Sequence, residues 1–118
     1  MPTASGHTRA ILASKVTGTN VFNTKGEKIG HVEDVVLDKT SNEIMFAVLG
    51  FGGFLGIGER FHALPWSLLD YDMKQEGYIV NLDRNVLEAA PTYRLEDLTQ
   101  DDGAVRTKSK EYYAPYLG

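Results

Sequence analysis

The side chains with chemical potential in this chain are few and scattered. The three histidines are His7, His31 and His62, and Glu33 shares the nominal strand face of His31. A metal centre needs three or four converging ligands held by an ordered outer layer of hydrogen bonds. No paired histidine spacing supplies them, so His31 and His62 read as solvated or singly hydrogen-bonded strand residues and His7 as part of a tail. Glu33, Asp34 and Asp38 form one acidic cluster and Asp101-Asp102 another. Paired carboxylates do acid–base work when burial separates their pKa values; on strand edges and turns they keep a surface soluble and block edge pairing. Ser5, Ser14, Ser41, Ser67 and Ser109 sit in no nucleophile-elbow context. Cysteine is absent, which removes disulfides, thiolate nucleophiles and thiolate-bound metals. No catalytic, cofactor-binding or metal-ligating residue is assigned, and no enzymatic activity is expected.

Gly50-Phe51-Gly52-Gly53-Phe54-Leu55-Gly56-Ile57-Gly58-Glu59 carries five glycines in its first nine residues. Such a loop can free backbone N–H groups for a phosphate, but the spacing fails. A dinucleotide fingerprint runs G-x-G-x-x-G from strand into helix; here the nearest match is the reverse order, Gly53-x-x-Gly56-x-Gly58, and a strand follows. No Lys-Ser or Lys-Thr closes the loop, and Glu59 puts negative charge where a phosphate would lie. The glycines instead let the chain bend between two strands. Phe51, Phe54, Leu55 and Ile57 are apolar anchors that either fold into the core or remain outside as a contact surface.

These residues need a mainly β scaffold to position them. Val21-Phe22 opens the β region that begins near Val16, and Asn23-Thr24-Lys25-Gly26 is a tight turn. Lys28 to Asp38 is a strand of imperfect alternation: Ile29, Val35 and Leu37 share one face, Val32 and Val36 the other. A β-bulge near Gly30 reconciles the two sets. Glu43 to Gly50 is the strongest strand, with Ile44, Phe46 and Val48 on one side and Met45, Ala47 and Leu49 on the other. Both faces are apolar, so one requires a barrel interior and the other a lid or a partner chain. Arg60 to Pro65 is another strand, Trp66 to Leu69 a compact corner, and Tyr78, Val80 and Leu82 a half-buried final strand. Asp83 caps a helix from Arg84 to Ala90, closed by Pro91. The expected organisation is a tail over 1–11, a barrel domain over 12–98 and an irregular C-terminal extension over 99–118. In that extension Lys108 to Leu117 places bases beside Tyr112, Tyr113 and Tyr116. These can meet single-stranded nucleic acid by charge and stacking, or dock the tyrosines on the chain's own barrel or on a neighbouring protomer.

Gly53-Phe54-Leu55-Gly56-Ile57-Gly58-Glu59, then Phe61 and Leu64-Pro65-Trp66, resembles the centre of PRC-barrel domains. Asn23 to Asp38 is similar to the opening hairpin of the same family, and the Tyr112-to-Tyr116 ending to tails on stand-alone bacterial members. The resemblance covers about residues 12–83. It implies a small PRC-type β-barrel, here with the one short helix read over Arg84 to Ala90, that binds macromolecules without catalytic residues or cofactors. Two settings of such barrels are the cytoplasmic part of the photosynthetic reaction-centre H subunit and the C-terminal domain of the RimM ribosome-maturation factor.

The chain has 118 residues, a net charge of -4 and a pI near 5.3. That length suits one domain, and the acidic balance opposes broad, sequence-blind binding to nucleic acid, which needs a basic surface. Nucleic acid is therefore expected only in a ribosomal context. No stretch approaches the roughly 20 apolar residues of a bilayer span and no signal-peptide pattern opens the chain. A cytoplasmic location, with at most peripheral association to a membrane complex, is the expectation. The leading reading is a protein-binding module that forms a homodimer. Its candidate contacts are Met45, Leu49, Phe51, Phe54, Leu55, Ile57, Trp66, Tyr112, Tyr113 and Tyr116.

Overall fold

A computed structural model describes residues 10–51 and 60–117, Phe51 by its backbone alone. The chain opens with one helical turn, α1 (Ala13–Val16), and then β1 (Asn20–Phe22), β2 (Lys28–Leu37), β3 (Ile44–Phe51), β4 (Phe61–Leu64), β5 (Asp70–Asp72) and β6 (Gly77–Ile79). Helix α2 (Arg84–Ala89) and helix α3 (Val105–Tyr113) follow, with short 3-10 turns between and after them. The described strands form one sheet in the order β4-β3-β2-β1-β6-β5, antiparallel except for the parallel β1–β6 pair.

This sheet is rolled, and the chain length between its ends demonstrates it. β4 and β5 are consecutive in sequence yet lie at opposite ends of the strand order. A flat six-stranded sheet would be about 24 Å wide, at about 4.8 Å per gap. The link from Leu64 to Asp70 contains a 3-10 turn at Trp66–Leu68, so it can span only about 16 Å. The edges must therefore curl toward each other. Accordingly Val21, Ile29, Val32, Leu49, Leu64, Tyr78 and Val80, drawn from nearly every strand, share one buried cluster with Leu87 of α2.

Local sequence explains the hairpins. Asn23 is almost fully buried; its Oδ1 accepts from the Lys25 and Glu27 amides, its Nδ2 donates to Glu27 Oε1 at 2.7 Å, and Gly26 takes φ +85°. In the β2–β3 turn, Asp38 Oδ1 accepts from the Thr40 hydroxyl and amide and from the Ser41 amide. These bonds, the Thr40 hydroxyl first, hold the Asp38 carboxyl below its usual range.

Several expectations are corrected. The β region does not begin at Val16, which instead ends α1 and is buried. The irregularity foreseen near Gly30 is three separate register shifts: at Ile29 opposite β1, at Glu33 opposite β3, and at Met45 opposite Val36/Leu37. Each extra residue reverses the facing beyond it. Ile29, Val32 and Val35, spaced by threes, thus all reach the barrel core, while Val36 packs on the other side and Leu37 is exposed. Asp83 occupies the position before α2, but its side chain makes no cap bond. The C-terminal extension is not irregular: it contains α3, and Val105, Ser109 and Tyr113 bury one stripe of it at helical spacing.

Gly30 is required by contact rather than conformation, since a Cβ there would strike the Gly50 carbonyl oxygen across the β2–β3 ladder. Gly26 has open space around it but a left-handed backbone. Gly26→Ala should cost about 1–2 kcal/mol, and Gly30→Ala about 3 kcal/mol or more, because two backbone strands must separate. Urea denaturation of both variants checks the ranking, and equal losses would refute it.

Candidate interaction surface

Strand β3 is apolar on both of its sides. Leu49 points into the barrel interior, where it is 2% exposed. Phe46 and Val48 point to the opposite face and form a second buried cluster with Phe61 and Ala63 of β4. That second face is covered by the chain's own C-terminal third: Leu98 and Val105 complete the cluster, with Tyr93 and Met45 packed at its margin. Gly103 lies so close above Met45 that a Cβ would be 2.7 Å from its Cε.

The same segment closes the open edge of β4. The Phe61 and Tyr93 amides each donate to the other's carbonyl at 2.8 Å. Arg60 donates to the Thr92 carbonyl at 2.7 Å and to its hydroxyl at 3.0 Å, and His62 Nδ1 lies 3.2 Å from the Pro91 carbonyl. Farther along, Ser109 Oγ donates to the Ala63 carbonyl at 2.7 Å. Edge strands otherwise present unpaired backbone groups that template aggregation; here residues 91–93 and α3 satisfy them.

Tyr112 donates to the Val86 carbonyl of α2 at 2.9 Å, while Tyr113 inserts into the barrel core at 2% exposure. The two rings meet edge to face, 4.8 Å between centroids. Burial, helped by Tyr112 and Tyr93 nearby, pushes the Tyr113 phenol far above the usual tyrosine range, so it stays protonated. Its hydroxyl has no hydrogen-bond partner among the described residues. Of the candidate contacts, Leu49 and Tyr113 are thus interior residues in this arrangement. Met45 and Tyr112 are half-buried against the same chain, and Tyr116 is exposed. Phe54, Leu55, Ile57 and the Phe51 side chain lie outside the described residues.

Trp66 is half-buried on the barrel core and belongs to an aromatic row. Its ring meets Tyr78 at 5.6 Å, and Tyr78 meets Tyr71 at 5.2 Å, both edge to face. The row ends at the surface, because Tyr71 on edge strand β5 is 42% exposed. Tyr71 is not among the candidate contacts drawn from the sequence, because its neighbours Asp70 and Asp72 give that segment no apolar pattern.

The histidines do not converge. Paired rows alternate faces along the sheet, and His31 pairs with Gly50 while His62 pairs with Leu49, so the two rings leave opposite faces. His31 Nε2 is 3.1 Å from Glu33 Oε1 and its ring fills the space above Gly50. His62 is 3% exposed, and desolvation lowers its pKa below the usual 6.5, opposed by the Pro91 bond. Among the described residues no group of three or more potential ligands gathers for a metal, and no helix is long and apolar enough to cross a membrane.

Two predictions follow from the covering segment. Ser109→Ala should cost about 1 kcal/mol by leaving the Ala63 carbonyl without its donor, whereas Tyr113→Phe should stabilise by about 1 kcal/mol by removing an unpaired buried hydroxyl; denaturation midpoints with unchanged slopes test both. For His62, both states are neutral above about pH 6.5, so pH has no effect there through this residue. As pH falls below about 6.5 the unfolded chain takes up a proton that the folded protein resists, and stability declines until the depressed folded pKa is passed. His62→Gln, with His31 retained, should show a smaller loss between pH 7.5 and 5 than the parent; an equal loss would clear His62 of the effect.

The model of the PRC-barrel domain matches residues 9–87, which takes in α1, the six described strands and most of α2. No curated relative matches the chain. PRC-barrel domains are generally non-catalytic and serve interaction or assembly. The rolled sheet, its glycine-bearing β3–β4 connection and the matched span together identify the chain as a member of the PRC-barrel family.

Proposed function

We propose that this chain is a non-enzymatic adaptor or assembly module that acts as a homodimer and presents an aromatic contact patch to its partner. The observation that carries this reading is the Trp66–Tyr78–Tyr71 row, in which the barrel core emerges at an edge strand as exposed tyrosine. Trp and Tyr are enriched where protein surfaces meet, since each pairs a large apolar body with a polar tip. The two aspartates beside Tyr71 keep β5 from open-ended strand addition, which leaves side-chain contact as its mode of binding. Phe54, Leu55 and Ile57 in the β3–β4 connection are the second part of the proposed surface, and exposed Tyr116 is a third.

The test is sedimentation over a wide concentration range, paired with denaturation. Tyr71→Ser should weaken self-association while shifting folding stability by no more than about 0.5 kcal/mol. Phe54→Ser with Leu55→Ser should likewise lower association more than stability, and the reverse ranking would assign both to the core. A strict monomer at high concentration would remove the dimer. Affinity capture with fractionation then separates the settings implied by the family: salt-sensitive co-sedimentation with ribosomal particles marks a maturation role, and co-purification with membranes a reaction-centre-like one.

A further inference from the structure

We infer that α3 and the residues after it can exchange between two copies, each docking on the β3–β4 face and barrel of the other. This rests on the homodimer proposed above and supplies a mechanism for it. The site to be filled is already defined, because residues 104–117 occupy it within one chain: Val105 on the second cluster, Ser109 on the Ala63 carbonyl, Tyr112 on the Val86 carbonyl and Tyr113 in the barrel core. A second copy offers the identical surface, so every one of these contacts can re-form across the dimer.

The connection favours opening. Asp101, Asp102 and Gly103 have φ of 50°, 55° and 76° in succession. Two of the three are aspartates, which enter the left-handed region more readily than other side chains but still at a cost that glycine does not carry. Extending these residues releases that strain, and short strained hinges are the usual origin of exchanged segments. Leaving the face is also eased by two atoms of the segment, Arg106 Nε and the Tyr113 hydroxyl, which are buried without a hydrogen-bond partner among the described residues and regain water on release. A nine-residue helix does not persist alone in water, so the released segment must dock again, on its own face or on another copy's. The strap at residues 91–98 precedes the hinge and stays with its own barrel. Intramolecular docking has a high effective concentration, so the exchanged form accumulates only as protein concentration rises.

The experiment uses the full chain, an equal mixture of isotope-labelled and unlabelled protein co-refolded at high concentration, read by isotope-filtered NOEs from the Tyr113 ring to barrel-core methyls and from the Tyr112 ring to Val86. Exchange predicts these contacts between chains. A dimer whose Tyr113 contacts are confined within each chain would overturn the exchange and leave the homodimer standing, whereas a strict monomer would end both. Asp101→Gly with Asp102→Gly gives a second reading, because glycine accepts positive φ without penalty. Relief of the hinge should weaken the dimer by about tenfold or more; unchanged or tighter association would contradict the inference.

Discussion

One constraint governs this molecule: β3 is apolar on both faces, and water can be allowed at neither. Leu49 commits one face to the barrel interior, and Phe46 with Val48 commits the other to a second core that the sheet cannot close by itself. Part of the C-terminal third answers that demand. Leu98 and Val105 supply the missing apolar surface, the Phe61–Tyr93 bridge closes the strand edge, and Ser109 gives the Ala63 carbonyl a donor beneath α3. Burying large aliphatic and aromatic side chains contributes about 1.5–3 kcal/mol each, so this cover is a substantial part of what holds the domain together.

The cover is imperfect in ways that matter for function. Among the described residues it carries a buried phenol and a buried guanidinium nitrogen without hydrogen-bond partners, and it is joined to the strap by a hinge of left-handed residues. A protein whose second core is closed by a strained, separable segment has a natural point at which assembly can compete with folding. The aromatic row at β5 lies on another strand edge, so a partner held there need not disturb the segment.

Much of the fold was legible from the chain. The alternation over Ile44–Leu49, the Asn23–Gly26 turn and the glycine-aromatic motif after β3 led to a small barrel of this family, and the matched span over residues 9–87 agrees. The two-sided strand also announced that a lid was needed. What the sequence could not disclose was whose chain provides it, because Val105, Ser109 and Tyr113 form a sparse stripe among Lys, Glu and Thr that reads as polar and irregular. The bulges at Ile29 and Glu33 were similarly hidden: a period-two reading of Lys28–Asp38 cannot locate more than one interruption. Tyr71 was obscured by its acidic neighbours, and its place at the end of an aromatic row depends on cross-strand pairing with Tyr78.

Amide hydrogen exchange tests most directly whether the chain seals its own second face. The Phe61 and Tyr93 amides are bonded only while residues 91–93 lie along β4, so their exchange reports that closure alone. If the cover is part of the fold, both amides open with a free energy close to that of the β3 amides beneath them. Exchange of Phe61 and Tyr93 orders of magnitude faster, with β3 still protected, would show that the second face is left for another molecule to cover.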